Sequence, residues 1–540
     1  MLRSLFVILL LFSFQGLSAQ NLHSKNRKAI ENYKKAKESS DVGNLYQSEQ
    51  LLVTLLKRNK SFDEAILLLH QIYLKKDFQD KSEQVLTDYS EELEQPFINR
   101  ILSDQANYAF EIGEYDKARK LLARVIGDIY EIPEDIFSLL KESIAFAFEQ
   151  SKNPYEIEFE KLPSPVNQFG QQYFPSVSAK GQLVYTVREN NGRGDENLYI
   201  STLLGNKWSE PKSISSSINS DRNEGAASIS ADGSTLVFTA CNIPGNIGSC
   251  DLYISYFLNG DWVKPELLNK NVNSPEWDSQ PALSRDGKKL YFVSKRPGGE
   301  GRQDIWVSER GNGGWNKAKN MGPGINTPYD DCSPYIYIDE KTLFFASKGR
   351  VGMGGFDLYT SQNEAGTWTL PKNLGAPINN SFDQVGYSIS HHGWAYYSSS
   401  VANGKIELSR FKVPESVVPI GSVDFISGKV LDATTRMPVI SSIESHGSSL
   451  AITDSTSGEF TAFVELDTVL LAVKATNYEF RETLEEFSTE ELFIKLETVD
   501  PRRAGLEDPH NRKRIVRALE IIEVIGHVPA IRDVTRKGYS

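Results

Sequence analysis

The stretches Asn197-Leu-Tyr-Ile-Ser201, Asp251-Leu-Tyr-Ile-Ser255, Asp304-Ile-Trp-Val-Ser308 and Asp357-Leu-Tyr-Thr-Ser361 are near-copies of one another, with a degenerate echo at Ile406-Glu-Leu-Ser409. Three other anchors recur with them. A strand and turn precede each copy: Ser176-Val-Ser178-Ala-Lys-Gly181, Ser228-Ile-Ser230-Ala-Asp-Gly233, Ala282-Leu-Ser284-Arg-Asp-Gly287, Tyr335-Ile-Tyr-Ile338-Asp-Glu-Lys341 and Ser388-Ile-Ser390-His-His-Gly393. A lone Trp follows at Trp208, Trp262, Trp315 and Trp368. Then come Ile218-Asn-Ser, Val272-Asn-Ser, Ile325-Asn-Thr and Ile378-Asn-Asn. The spacing stays at 52 to 54 residues, too regular for chance.

The chemistry of one copy is readable. Asp-Gly between two apolar runs is a hairpin turn, because those residues tolerate the positive φ angles that match strand twist. Alternating Leu, Tyr and Phe pack on both faces of a sheet. Asp251, Asp304 and Asp357 cap turns by accepting backbone N–H bonds, so their recurrence, like that of the four Trp, is read as structural. One sheet of this length cannot bury its own faces, but repetition around an axis can. Tyr155-Glu-Ile-Glu-Phe-Glu-Lys-Leu162 with Pro165-Val-Asn167 looks like the end of a copy placed before the first full one, and the last copy lacks that end. The count predicts a five-bladed β-propeller over 155–412, closed by its own N-terminal strand.

Upstream the texture differs. One early cation, Arg3, an apolar run from Leu5 to Phe12 and the small residues before Gln20 have the layout of a cleavable secretory signal, 1–19. Eight to ten apolar residues are too few to cross a bilayer that needs about 20. From 21 to 152 the chain is rich in Leu, Ala, Lys and Glu, with apolar residues at helical spacing such as Ile66, Leu69 and Tyr73. Gly113 suits a turn between two helices, with Tyr115 and Ala118 on one face of the second. Phe62 matches Asn99 and Phe78 matches Tyr115, both 37 residues apart. This segment resembles tetratricopeptide (TPR) repeats, whose period is about 34; a plain helical bundle is the other reading. The resemblance implies a TPR-like α-solenoid with a concave face for a peptide or protein.

From 421 to 499 short alternating strands with turn residues between them read as a small β-sandwich, through Gly428-Lys-Val430, Asp432-Ala-Thr-Thr435, Thr453-Asp-Ser-Thr-Ser-Gly458 and Leu470-Leu-Ala-Val473. The expected class is therefore multidomain, α + all-β. The propeller copies resemble TolB-like periplasmic propellers. The region after them is similar to the carboxypeptidase regulatory-like domain, a transthyretin-like sandwich without catalysis. The order of the parts resembles the PorE-like envelope subunits of the OmpA family associated with type IX secretion. That resemblance implies a periplasmic adaptor, associated with the outer membrane, that tethers secretion machinery to the cell wall.

The tail departs from that pattern, because no OmpA-like domain follows. Residues 501–540 carry nine Arg/Lys against five Asp/Glu, a net +4 in a chain whose formal charge is −12. A Pro-x-Asn turn, Pro509-His-Asn511, precedes an Arg-rich helix with Arg512, Arg514 and Arg517. This is similar to an internal helix of tRNA dimethylallyltransferases. The phosphate-binding Gly-x-x-x-x-Gly-Lys-Ser/Thr loop that the reaction needs is absent from the chain. A frameshift, fusion or assembly junction near residue 499 is expected; a coincidental amphipathic helix is the other reading.

Acidic charge argues against a nucleic-acid-binding body. No Gly-x-Ser-x-Gly elbow or His-Glu-x-x-His pair is present. His391-His392 falls on a hairpin turn, where neighbouring side chains diverge. No catalytic, cofactor-binding or metal-ligating residue is therefore singled out. Cys241 and Cys250 flank a short loop and are expected to pair in an oxidising periplasm, leaving Cys332 free. The expected function is that of a non-catalytic periplasmic scaffold contacting envelope proteins through its TPR and propeller surfaces, with no cofactor, no nucleic acid and no transmembrane span. Peptidoglycan binding belongs to the family and is not expected here. The alternative is a propeller enzyme or binding protein acting on glycans or peptides, since paired carboxylates can come from different blades. A role in tRNA modification rests on the tail alone.

Overall fold

The computed structural model describes residues 22–24, 26–188, 195–258, 260–400, 405–414 and 417, then 423–432, 435–445, 448–453, 457–465, 472–475, 493, 496 and 497. The expected signal segment, 1–19, and the tail, 500–540, lie outside them. The chain divides into two compact units. The first holds the helices and most of the repeated strands; the second comprises Pro419–Ser540 with the short segments Ala231–Ser234 and Phe257–Asp261.

Among the described residues, seven helices open the first unit: α1 Arg27–Asp41, α2 Leu45–Leu56, α3 Asp63–Lys75, α4 Gln79–Tyr89, α5 Gln95–Glu111, α6 Tyr115–Leu122 and α7 Glu134–Lys152. Local chemistry sets their ends. Asn26 caps α1 by accepting from Lys28 and Ala29, and Asn44 caps α2 by accepting from Gln47. Gly113, at φ +82°, makes the turn from α5 to α6. Leu52, Leu56, Phe62, Ile66, Phe97 and Ile101 form the core between the helices.

The strands after α7 form antiparallel units. Each has a first, second and third strand, and in the first four units two two-residue strands pair with the third. The long strands are Gln171–Val177, Gln182–Arg188 and Glu196–Leu204 in the first unit; Asn223–Ile229, Thr235–Cys241 and Cys250–Leu258 in the second. The third has Asp278–Leu283, Lys289–Ser294 and Asp304–Gly311, and the fourth has Asp331–Ile336, Thr342–Ser347 and Asp357–Glu364. The fifth has Ser388–Ile389, Trp394–Ser400 and Ile406–Lys412. Its outer strand is Phe159–Lys161 from the other end of the segment, paired antiparallel as Phe159↔Phe411 and Lys161↔Ser409.

Two repeated contacts hold this array. The first is an asparagine that binds both backbone groups of the third strand. Leu252 N–H donates to Asn273 Oδ1 (2.8 Å), while Asn273 Nδ2 donates to Leu252 O (3.0 Å) and Leu268 O (2.9 Å). Asn219, Asn326 and Asn379 make the same pair of bonds to Leu198, Ile305 and Leu358. Asn167 makes it to Leu408, 241 residues away, and so closes the array.

The second is a left-handed residue in the first strand of units one to four, Phe174, Ala226, Gln280 and Ser333, and just before that of the fifth, Gly386. In the first four units the strand register shifts there, a β-bulge. The N–H freed by the irregularity donates to a side chain of the preceding unit. Ala226 donates to Thr186 Oγ1 (2.9 Å), Gln280 to Thr239 Oγ1 (3.3 Å), Ser333 to Gln280 Oε1 (2.7 Å) and Gly386 to Ser333 Oγ (3.2 Å). Phe174 donates to Ser398 Oγ of the fifth unit (3.1 Å). The five first strands thus surround one opening, lined by a three-residue segment of each.

The expected multidomain α + all-β class, with a TPR-like α-solenoid, a five-bladed β-propeller and a transthyretin-like β-sandwich, is corrected. The structure is mostly β, with 35% strand and separate small sheets. The seven helices make no regular solenoid. Their lengths run from 8 to 19 residues. Phe62 stands at the N-terminus of α3, whereas Asn99, its supposed counterpart, lies buried inside α5 and donates to Ile126 O and Asp128 O. The 37-residue match therefore joins positions with different roles. The first and fifth strand units are not independent blades, since the parallel bridge Gln171↔Ile406 merges them into one nine-stranded sheet beside three five-stranded sheets. From Pro419 on, the described part of the second compact unit is a two-stranded sheet, Val423–Lys429 with Glu459–Glu465, and a three-stranded sheet, Ser448–Ile452, Ser441–Ser445 and Ala472–Ala475, around Ile443, Phe460 and Ala462. No helix among the described residues is long and apolar enough to cross a membrane.

Asn273→Ala strips one donor and two acceptors of buried backbone of their partner. It should lower stability by roughly 2–4 kcal/mol, because an unmade buried hydrogen bond carries the desolvation cost of each group. The denaturant midpoint of the purified chain measures it, with an exposed Asn312→Ala control expected within about 0.5 kcal/mol.

Candidate ligand-binding site

Helices α5 to α7 pack on the fourth strand unit. Tyr115 Oη donates to Met353 O (2.8 Å), Gly352 N–H donates to Ser143 Oγ (3.2 Å) and Tyr155 N–H donates to Ala376 O (2.8 Å). Met353 and Ala376 share a core with Ala106, Phe110, Ala118, Leu140 and Ile144.

A pocket opens beside this contact. Helix α5 supplies Asn107 and Phe110, three residues apart. Helix α7 supplies Ile136, Leu139, Leu140 and Ser143, one face at helical spacing. The opposite wall is Tyr329 and the loop Lys348-Gly-Arg350-Val-Gly352-Met-Gly354-Gly355-Phe356, between the second and third strands of the fourth unit. That loop can pass here only with glycine: a Cβ on Gly354 would stand 2.5 Å from the Ser381 backbone. Asp357 pins the loop by accepting from Met353 N–H.

The polar groups of the pocket are few and incompletely used. Lys348 is 7% exposed, with Nζ 3.5 Å from Asp383 and 4.3 Å from the centre of the Phe356 ring. The Arg350 guanidinium donates to Gly324 O (3.1 Å) and Ile325 O (2.9 Å), and its Nε is buried without a partner. Asn107 Nδ2 donates to Glu111 (3.0 Å), and Asn107 Oδ1 is also buried without a partner. Burial pushes the Glu111 carboxyl up to about 7, against the opposing bond from Asn107. It likewise raises Asp357 to about 7 and Asp331 to about 6. The lining holds hydrogen-bond donors, one open acceptor and an apolar wall, and neither His nor Cys.

The residues picked out by repetition lie elsewhere, one set per unit. Asp251 accepts from Ile247 and Gly248, Asp304 from Glu300 and Gly301, and Asp357 as above, so each caps the loop before its strand. Each Trp packs into the preceding unit. Trp208 meets Tyr396 and Leu408, Trp262 meets Val184 and Leu198, Trp315 meets Val237 and Leu252, and Trp368 meets Tyr291 and Ile305. Cys241 and Cys250, cross-strand partners, are joined by a disulfide, and Cys332 is a buried free thiol. His391 and His392 sit on a turn. The pocket escaped sequence reading because Asn107 and Arg350 come from unlike segments, and neither lies in a recurring motif. A group of imidazole and carboxylate donors within metal-ligand reach, His23, Asp63 and Glu94, escaped it for the same reason.

Comparison with known proteins adds matches at the two ends of the problem. A family model described as IPP transferase matches residues 460–537. A tRNA dimethylallyltransferase of Bifidobacterium adolescentis is 45% identical over 60 residues, 10% of this chain and 18% of that protein. The chain thus spans 18% of the length of that relative. Among solved structures, the chain is similar to an α-L-arabinofuranosidase from Lactobacillus brevis, with a TM-score of 0.33 and 11% identity, covering 48% of this chain and 94% of the other. It is also similar to a puromycin-hydrolysing peptidase of Mycobacterium tuberculosis, with a TM-score of 0.29 and 13% identity, covering 60% and 56%. The expectation that the chain is not an enzyme is corrected by these findings, since the similar proteins are enzymes. TM-scores this low assign no activity among them.

Two measurements follow from the site and its surroundings. A carboxyl raised by burial holds its proton more tightly folded than unfolded. The stability it contributes is complete below its ordinary value and is lost as pH rises through about 7 for Glu111. The melting midpoint should fall as pH rises from about 4.5 to about 7, and less steeply in Glu111→Gln. For the cysteines, mass spectrometry of unreduced, alkylated, denatured chain should find one modified thiol, Cys332. Reduction should cost roughly 2–3 kcal/mol, as expected for so short a loop.

Proposed function

We propose that this chain is an exported protein of the bacterial cell envelope that binds peptides through the pocket between α5, α7 and the fourth strand unit. One observation carries the reading: an apolar wall of Phe110, Ile136, Leu139 and Leu140 faces buried cationic groups with an unspent donor at Arg350 Nε. A peptide's free carboxylate beside an apolar side chain matches both halves. Arg350 and Lys348 receive the carboxylate, since charge-assisted bonds are the strong ones. Asn107 Oδ1 accepts a peptide N–H, and the glycines of the loop leave room for backbone. Export is supported by the N-terminal stretch from Arg3 to Ala19, and an envelope location by the expected pairing of Cys241 with Cys250. Carboxylate-bearing glycans are the second class, favoured by the same two cations and less by the apolar wall.

The test is fluorescence titration of the full chain with short peptides ending in Leu or Phe, as free acids and as C-terminal amides. The free acids should bind at least tenfold more tightly, and Arg350→Gln should remove most of that difference. Mass spectrometry of the same mixtures reads any cleavage. Equal affinity for acid and amide, or an unchanged preference in Arg350→Gln with intact circular dichroism, overturns the reading.

A further inference from the structure

The segment around His23 meets the helices through carboxylates, beside an edge contact of the His23 ring with Phe97 and the packing of Leu22 on the helical core. Asp63 and Glu64 open α3, and Glu94 stands immediately before α5. His23 N–H donates to Glu64 Oε1 (3.2 Å), and His23 Nδ1 lies 2.8 Å from the same oxygen. Glu94 N–H donates to Asp63 Oδ2 (3.3 Å), which draws Asp63 and Glu94 together. One donor atom each from His23, Asp63 and Glu94 falls within 4.8 Å of the others. Among the described residues no Lys or Arg pairs with any of these three carboxylates; their one ion-pair partner is His23 itself.

We propose that His23, Asp63 and Glu94 form a site for a divalent transition-metal ion of the Zn²⁺ type. Three features of the cluster point to a ligand. The Glu64 carboxylate takes the Nδ1 side of the imidazole, which leaves the Nε2 lone pair facing Glu94 and Asp63. A carboxylate on the far ring nitrogen is the arrangement that orients metal-bound histidine. His23 Nε2 lies 3.6 Å from Glu94 Oε2, beyond hydrogen-bond range. Two ligands of one tetrahedral ion, each about 2.0–2.2 Å from it, stand at a separation of that order. Glu64 is 5% exposed on its side chain, and its Oε2 is buried without a partner, so the His23 contact alone does not satisfy the carboxylate.

Three carboxylates converge on one imidazole. The N-termini of α3 and α5 favour negative charge there, while burial raises Asp63, a cost that a bound cation would offset. Imidazole with carboxylates suits a borderline ion better than Ca²⁺ or Mg²⁺, which take oxygen ligands alone. Three protein ligands leave one position for water. The ion would pin residues 22–24 to α3 and α5, a tether between parts of the chain about 40 and 70 residues apart in sequence.

The experiment uses full-length, tag-free protein stripped with EDTA and titrated with ZnCl₂ in a calorimeter, with metal content read by mass spectrometry after dialysis. Wild type should bind one Zn²⁺ and gain melting temperature on loading. His23→Ala and the solvent-facing Glu94→Gln should each weaken binding at least tenfold and lose that gain, with circular dichroism unchanged. Mg²⁺ at the same concentration should give no shift. Absence of Zn²⁺ binding in wild type overturns the proposal. So does binding of equal affinity and stoichiometry in His23→Ala, or in Glu94→Gln.

Discussion

Each strand unit depends on one amide side chain that satisfies a strand residue's N–H and C=O together. Asn offers an acceptor and two donors on one short stem. At Asn273 all three are spent on backbone, and the residue is 2% exposed. The third strand of each of the first four units needs such a partner because its outer edge is paired only in two short runs, Trp306↔Asn320 with Val307↔Lys319 and Arg310↔Trp315 with Gly311↔Gly314 in the third unit. Outside those runs the ladder cannot satisfy the strand, and the asparagine takes over from the missing partner.

The same economy governs how units join. A residue at positive φ costs of order 1–3 kcal/mol outside glycine and persists only where its surroundings fix it. Here the surroundings are a hydroxyl or amide of the neighbouring unit, which receives the N–H that the irregularity turns out of the ladder. The Trp side chains reinforce the joint from the other side, each packed against the unit before its own. Closure requires no special element. Asn167 reaches Leu408 and Phe174 N–H reaches Ser398 with the bonds used at every other joint. The ends of a 250-residue segment are thus held by local chemistry, and the bridge Gln171↔Ile406 fuses the first and last units.

What the sequence discloses follows from what repeats. Asp251, Asp304 and Asp357 cap loops as their recurrence suggests, and the Ile-Asn motif marks the clamp, although the motif alone does not say what Asn binds. The helices are legible as helices, but their arrangement is not. Aligning Phe62 with Asn99 equates a helix start with a buried helix interior, since aromatic and amide residues at similar spacing serve different ends. The pocket and the His23 cluster leave no pattern at all. Each joins residues whose separations are set by packing, so no spacing rule reaches from Asn107 to Arg350 or from His23 to Glu94.

Repetition and chemistry part company in the fourth unit. Asp251 and Asp357 occupy the same place in their units and cap the same kind of loop, so the backbone gives them equal support. Burial raises both, yet Asp357 reaches about 7. The difference lies in what covers them. The fourth unit has α5, α6 and α7 packed over its loop, with Tyr115 and Ser143 bonded to Met353 and Gly352. That cover removes water from Asp357 and from Glu111 in the same step, and it leaves Arg350 Nε and Asn107 Oδ1 without solvent partners. In a low-dielectric setting unpaired polar groups are costly, and the cost is relieved by whatever ligand restores the bonds. The repeated strands therefore supply a rigid loop of fixed shape, and the helices, by covering one copy of it, turn a structural cap into a place where a ligand gains.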